Sequence, residues 1–145
     1  MKVVLQRVKY AKCHVDGILT GSCENGYLLL VGYTHTDTIL ENQKMAKKIS
    51  NLRIFEDNEG KMNLNINQVG GTILSISQFT LYANPNEGNR PSFTNAMKPD
   101  KAIKLYKNFN DELRNLGLHV EEGIFGADMK ITLLNDGPVT IELEF

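Results

Sequence analysis

The chain has 145 residues, 41% of them hydrophobic and 23% charged. That is enough for one domain, residues 1–145, with a core of its own, and it excludes a disordered or fibrous chain. A net charge of −1 excludes a protein that grips nucleic acid with a uniformly basic surface, so any RNA partner must be met by a local patch or a small footprint. Two cysteines, Cys13 and Cys23, are too few for a disulfide framework. The longest apolar run, Tyr27 to Val31, is far too short to span a membrane, and the first residues lack the apolar region of a signal peptide. A cytoplasmic protein without membrane contact is expected.

Lys2 to Val8 reads as a first strand. Asp16-Gly17, between Cys13-His14-Val15 and Ile18-Leu19-Thr20, signals a hairpin. Tyr27 to Tyr33 is nearly all apolar and fits a central strand. A first helix follows, opened by a Thr38-x-x-Glu41 capping box or by Asp37. Ile39, Leu40, Met45, Ala46, Ile49 and Leu52 mark its apolar stripe. Lys44, Lys47 and Lys48 are either its solvated face or a patch for an RNA backbone. Arg53-Ile54-Phe55 is a short strand ended by the Asp57 to Gly60 turn. Thr72 to Leu81, after the Gly70-Gly71 turn, is strongly strand-like. Tyr82 to Lys98 is a long loop of the kind that often carries function.

A second helix begins at Pro99-Asp100. Ala102, Ile103, Leu105, Tyr106, Phe109, Leu113 and Leu116 form its apolar side, and Gly117 ends it. Leu118–Glu122, Lys130–Asn135 and Val139–Phe145 are the last strands, the final two separated by Asp136-Gly137-Pro138. Strands, helix, strands, helix, strands in one chain without repeats or linkers predicts an α+β domain. Antiparallel and mixed sheets would form a barrel-like core with two main helices.

Catalytic signatures are scarce. His14, His35 and His119 have no motif partner, and the Gly-x-Ser-x-Gly elbow, the Walker loop and the dinucleotide fingerprint are all missing. Cys13, His14 and Cys23 fall short of a four-ligand zinc set. Two polar segments stand out instead. Ser77-Gln78-Phe79-Thr80 places hydroxyls and an amide at the end of an apolar strand. It is either a strand end whose polar groups satisfy nearby backbone or a pocket wall whose N–H groups could hold an oxyanion. Asn135-Asp136-Gly137-Pro138-Val139-Thr140 is either a plain hairpin turn or a rigid corner shaping a pocket.

Both segments resemble the Ser-Gln-Phe-Thr and Asn-x-Gly-Pro-Val-Thr motifs of the D-aminoacyl-tRNA deacylase family. The similarity extends over the whole chain. It includes Val4 to Val8, Asn51 to Phe55, Arg90-Pro91-Ser92-Phe93 and Phe125-Gly126-Ala127-Asp128-Met129. The resemblance implies a cofactor-free enzyme that hydrolyses D-aminoacyl-tRNA, and by extension glycyl-tRNA, as chiral proofreading. It implies a homodimer in which a cis Gly137-Pro138 reaches the partner's pocket and rejects L side chains. Ser77, Gln78, Phe79 and Thr80 would form the catalytic wall, with Phe79 N–H as oxyanion donor. Ala102, Phe125 and Met129 would pack around the 3′-terminal adenosine. The tRNA's own 2′-hydroxyl would assist the attack. One stretch departs from the family, whose members often carry bases before Arg-Pro-Ser-Phe: Ala83 to Asn89 holds an acid, Glu87, and no base. Phosphate contacts are then expected from Arg90 and from Lys44, Lys47 and Lys48.

Overall fold

A computed structural model describes residues 1–86 and 88–145, so Glu87 lies outside the described residues. Eight strands and two helices follow in the order β1 (Lys2–Val15), β2 (Ile18–Cys23), β3 (Gly26–Gly32), α1 (Ile39–Asn51), β4 (Phe55–Glu56), β5 (Met62–Leu64), β6 (Thr72–Ser77), α2 (Pro99–Asn115), β7 (His119–Glu122) and β8 (Lys130–Glu144). The α+β class with two helices over a mixed sheet is as expected. β1 is the organising strand. One edge pairs with β3 through Lys2–Val8 and with β2 through Ala11–Val15, and the other edge carries β8. β3, β6 and β7 continue the sheet in parallel pairing. The sheet curls until β2 meets β7, where Ser22 N–H donates to the Glu121 carboxylate at 2.6 Å, giving the barrel-like closure.

The apolar run of β3 is explained by burial on both faces. Tyr27, Leu29 and Val31 join the core under the helices, while Leu28 packs with Val8, Cys13, Leu74 and Ile76 on the other face. The helices cover the first face with Met45, Ala46 and Ile49 of α1 and Tyr106, Phe109 and Leu113 of α2. Thr38, not Asp37, caps α1: its hydroxyl accepts from Leu40 N–H, and Glu41 reaches back to Thr38 N–H. Asp37 is used elsewhere, accepting from the buried Met1 amine at 2.6 Å and from Thr34 N–H at 2.7 Å. Ile39 and Leu40, expected on the apolar stripe, face solvent. Their place on the buried face is taken by Asn42, which donates to Leu105 O and Asn108 Oδ1 and accepts from the Tyr33 hydroxyl.

Two further expectations are corrected. The strand from Thr72 stops at Ser77, and Phe79–Tyr82 is a 3-10 turn. The last two strands are one, because both halves pair with β1 and not with each other. Gln6 faces Thr140 but Val8 faces Asn135, so Asp136 to Val139 swell out opposite Arg7 as a wide bulge. Local Asp-Gly chemistry suits a turn, but the third strand sets the pairing.

Candidate active site

β3 and β6 run parallel and end side by side, at Val31 and Ser77. Gln78 N–H donates to Val31 O at 2.7 Å, which carries the pairing one step further before the chain turns. The Phe79–Tyr82 turn then lies directly over Gly32. A Cβ on Gly32 would stand 2.8 Å from Gln78 O and 3.1 Å from Leu81 Cβ, so glycine is what lets the turn approach. No side chain caps the turn, and among the described residues Phe79 N–H meets no acceptor. A short helical turn thus presents an unused backbone donor.

Below it is a cavity of about 560 Å³ whose lining includes Ser77, Gln78, Phe79, Ala102, Phe125 and Met129. These come from the end of β6, the first turn of α2 and the loop before β8. Thr80 is outside the lining; it is exposed and accepts a hydrogen bond from Gln78 Nε2. Gly137 and Pro138 do not line it either. They sit exposed on the β8 bulge, and the peptide between them is cis. Arg7, only 5% exposed, grips that bulge from beneath: its Nε donates to Asp136 O at 3.0 Å, and its Nη1 donates to Ile54 O. Val139 N–H donates to Asn135 Oδ1 at 2.8 Å and closes the bulge.

Tyr33, Phe93, Met97, Lys98 and Pro99 also line the cavity, although the sequence does not mark them as site residues. Phe93 stands edge-on to Phe79, ring centroids 5.2 Å apart, and its motif, Arg90-Pro91-Ser92-Phe93, was a usable signal. Met97 and Lys98 carry no signal beyond their place in the long Tyr82–Lys98 loop, which returns through tertiary bonds: Met97 N–H to Tyr33 O and Asn84 paired with Ser92.

Residues 4–144 match the family model described as D-Tyr-tRNA(Tyr) deacylase. The chain belongs to this family. A relative named D-aminoacyl-tRNA deacylase, from Geobacillus sp. (strain WCH70), is 53% identical over 99% of this chain and 95% of its own. Another of that name, from Fusobacterium nucleatum, is 55% identical with the same coverage. A solved structure named c-Myc DNA Unwinding Element Binding Protein is 40% identical, covers 100% of this chain and 99% of its own, and superposes with a TM-score of 0.93.

In this member of the family the cavity offers donors and apolar walls more than titrating groups. None of the three histidines lines it. His35 bonds Thr94 O, and His119 faces Glu121. Burial pushes the Tyr106 phenol up to about 12 and holds the Tyr33 phenol well above its usual range. Both stay protonated at neutral pH. Their hydroxyls are committed to structure, Tyr106 to Ser75 O at 2.7 Å and Tyr33 to Asn42. Among the described residues no group of three His, Cys, Asp or Glu side chains is placed to hold a metal ion, and no helix is long and apolar enough to cross a membrane.

Proposed function

We propose that this chain hydrolyses the ester joining a D-amino acid to the 3′-terminal adenosine of tRNA. The observation that carries the reading is the unpartnered Phe79 N–H over a cavity that also gathers Ser77, Gln78, Ala102, Phe125 and Met129. It belongs to a family whose relatives bear that activity in their names. Water adds to the ester carbonyl carbon, and the negative charge that develops on its oxygen is held by Phe79 N–H. The bond to the ribose oxygen breaks, that oxygen takes up the proton released by the water, and the free amino acid leaves. The adjacent ribose hydroxyl relays this proton, which suits a cavity that no histidine lines. Positioning and one preorganised donor suffice because an aminoacyl ester is already activated. Ala102, Phe125 and Met129 hold the terminal adenosine.

Chirality is read by exclusion. The Gly137-Pro138 corner of a second copy enters the cavity, its carbonyls meet the substrate's amino group, and an L side chain has no room. What supports this is that the corner is exposed, rigidly tied by Arg7 and Asn135, and outside its own chain's cavity. Glycyl-tRNA, with no side chain to exclude, is a second substrate. The test is to incubate the protein with D-tyrosyl-tRNA and L-tyrosyl-tRNA. Rapid release of the D-amino acid alone is expected, from a particle with twice the chain mass by light scattering. The name of the 40% identical solved relative favours a second reading, a nucleic-acid binder without chemistry. Binding of the charged tRNA with release no faster than in buffer would establish that reading and overturn the first.

A further inference from the structure

Charge is distributed unevenly over this nearly neutral chain. Residues 39–51 and 98–115, the two helices with the Lys98 that precedes α2, hold eight cations and four acids, a net of +4. The rest holds eight cations and thirteen acids, a net of −5. Lys44, Lys47, Lys48, Lys98, Lys101, Lys104 and Lys107 are all exposed. Among the described residues none of these seven is in an ion pair, whereas five of the eight cations on the rest of the chain, Lys2, Arg7, Lys9, Lys61 and Lys130, have a carboxylate partner.

The buried side of α1 is Asn42, Met45, Ala46 and Ile49, and that of α2 is Ala102, Tyr106, Phe109 and Leu113. The lysines therefore project from the outer face of one helical layer, joined by the Asn42 bonds to Leu105 O and Asn108. The α2 row starts at the cavity itself, because Lys98 lines it. From Lys98 to Lys107 the row runs on the order of 14 Å along the helix, and α1 lies beside it at roughly 8–10 Å.

We infer that this lysine layer is a docking surface for the phosphates of a base-paired RNA stem whose 3′ end lies in the cavity. The inference rests on the proposed function for the identity of that 3′ end. Unpaired cations in a field of local net +4, on a chain that is otherwise acidic, hold a polyanion where a random scatter of charge would not. Continuity with the cavity fixes which polyanion: the surface begins where the strand's terminal nucleoside must sit, so the duplex that precedes that end passes over α2 and α1. The layer replaces the bases missing from the Ala83–Asn89 segment.

The probe is a deacylated RNA hairpin with a short 3′ overhang ending in adenosine, bound to the full chain at several salt concentrations. The wild-type affinity falls steeply with salt. In K101Q/K104Q/K107Q the slope of log affinity against log salt drops by about 2, from 0.7–0.9 per phosphate contact. That is an approximately 100-fold smaller loss across a tenfold range of salt. K44Q/K47Q/K48Q gives a drop of the same order, and K61Q, in the β4–β5 hairpin, gives none. Hydrolysis of a stem-less D-aminoacyl-adenosine ester, which reaches only the cavity, keeps its wild-type rate in the K101Q/K104Q/K107Q chain. An unchanged salt slope in both triple variants overturns the surface. So does a loss confined to binding of vesicles containing anionic lipid, which would assign the layer to a membrane. If the wild-type chain leaves the stem-less ester intact, the hydrolase reading fails, while the hairpin titration still decides the surface.

Discussion

Replacing Arg7 by methionine should loosen the Asp136–Val139 bulge while leaving the sheet around it packed. Methionine keeps most of the apolar stem but removes the hydrogen bonds to Asp136 O at 3.0 Å and to Ile54 O, both from a side chain that is 5% exposed. Hydrogen bonds from a charged donor contribute about 1.5–3 kcal/mol each. Losing both, and leaving two carbonyls without their donor, should cost about 3–5 kcal/mol. The Asp136 carboxylate is not stranded, because Lys9 remains 3.1 Å away, which places the expectation near the lower figure. For a chain of this length about 3 kcal/mol lowers the melting temperature by roughly 10 °C. Arg7→Lys should fall between wild type and Arg7→Met, since one ammonium cannot reach both carbonyls as a planar fork does. Thermal unfolding by circular dichroism gives the first readout, and the ratio of D- to L-aminoacyl-tRNA hydrolysis gives the second. A melting temperature within 3 °C of wild type, with L-aminoacyl-tRNA still fully spared, would refute the view that Arg7 holds the bulge in its working shape.

Gly32→Ala should displace the Phe79–Tyr82 turn, since the new Cβ would meet Gln78 O at 2.8 Å; kcat should fall by at least tenfold for a stability loss of about 1–3 kcal/mol, and wild-type kcat would sink the placement of Phe79. Single replacement of His14, His35 or His119 by alanine should leave deacylation intact, because none of them lines the cavity; abolition by any one would demand a proton acceptor outside the RNA. Stability should hold up to about pH 9 and fall above it. Burial raises the Cys23 thiol from 9.0 to about 11 and the Tyr106 phenol from 10.0 to about 12. The unfolded chain therefore loses these protons first, and each group removes about 1.4 kcal/mol per pH unit once its unfolded value is passed. Urea midpoints from pH 7 to 11 check this, and a midpoint that stays level or rises contradicts it.

The parts of the fold legible in the sequence are those where local chemistry and tertiary pairing agree. Asp16-Gly17 is a hairpin turn with both residues at positive φ, and Thr38–Glu41 is a capping box. Tyr27–Val31 is apolar because it is buried on both faces. The misreadings fall where the two disagree. Asp136-Gly137-Pro138 carries the same residues whether it closes a hairpin or swells from a continuous strand. Only the partner decides, and nothing within the segment says that β1 accepts both halves of β8. Apolarity alone puts Ile39 and Leu40 on the stripe, yet both are exposed. Asn42, whose amide joins the helices, looks like a surface residue until α2 is in place.

The position of the cavity follows from topology more than from any motif. β3 and β6 are parallel and joined through α1, and β6 and β7 are parallel and joined through α2. In parallel sheets ligands gather beyond the carboxyl ends of the strands, where the connections diverge. Here those ends are Val31-Gly32 and Ser77-Gln78, which is where the cavity lies. The polar residues that look out of place on an apolar strand are its last residue, Ser77, and Gln78 and Thr80 just beyond it. Had the parallel pairing been known, the choice between a satisfied strand end and a pocket wall would have tipped toward the wall. The family resemblance names Phe79 N–H as the donor, but local chemistry does not explain why it is free: that needs the backbone to turn after Gln78, and the absence of a Cβ at Gly32 allows that turn.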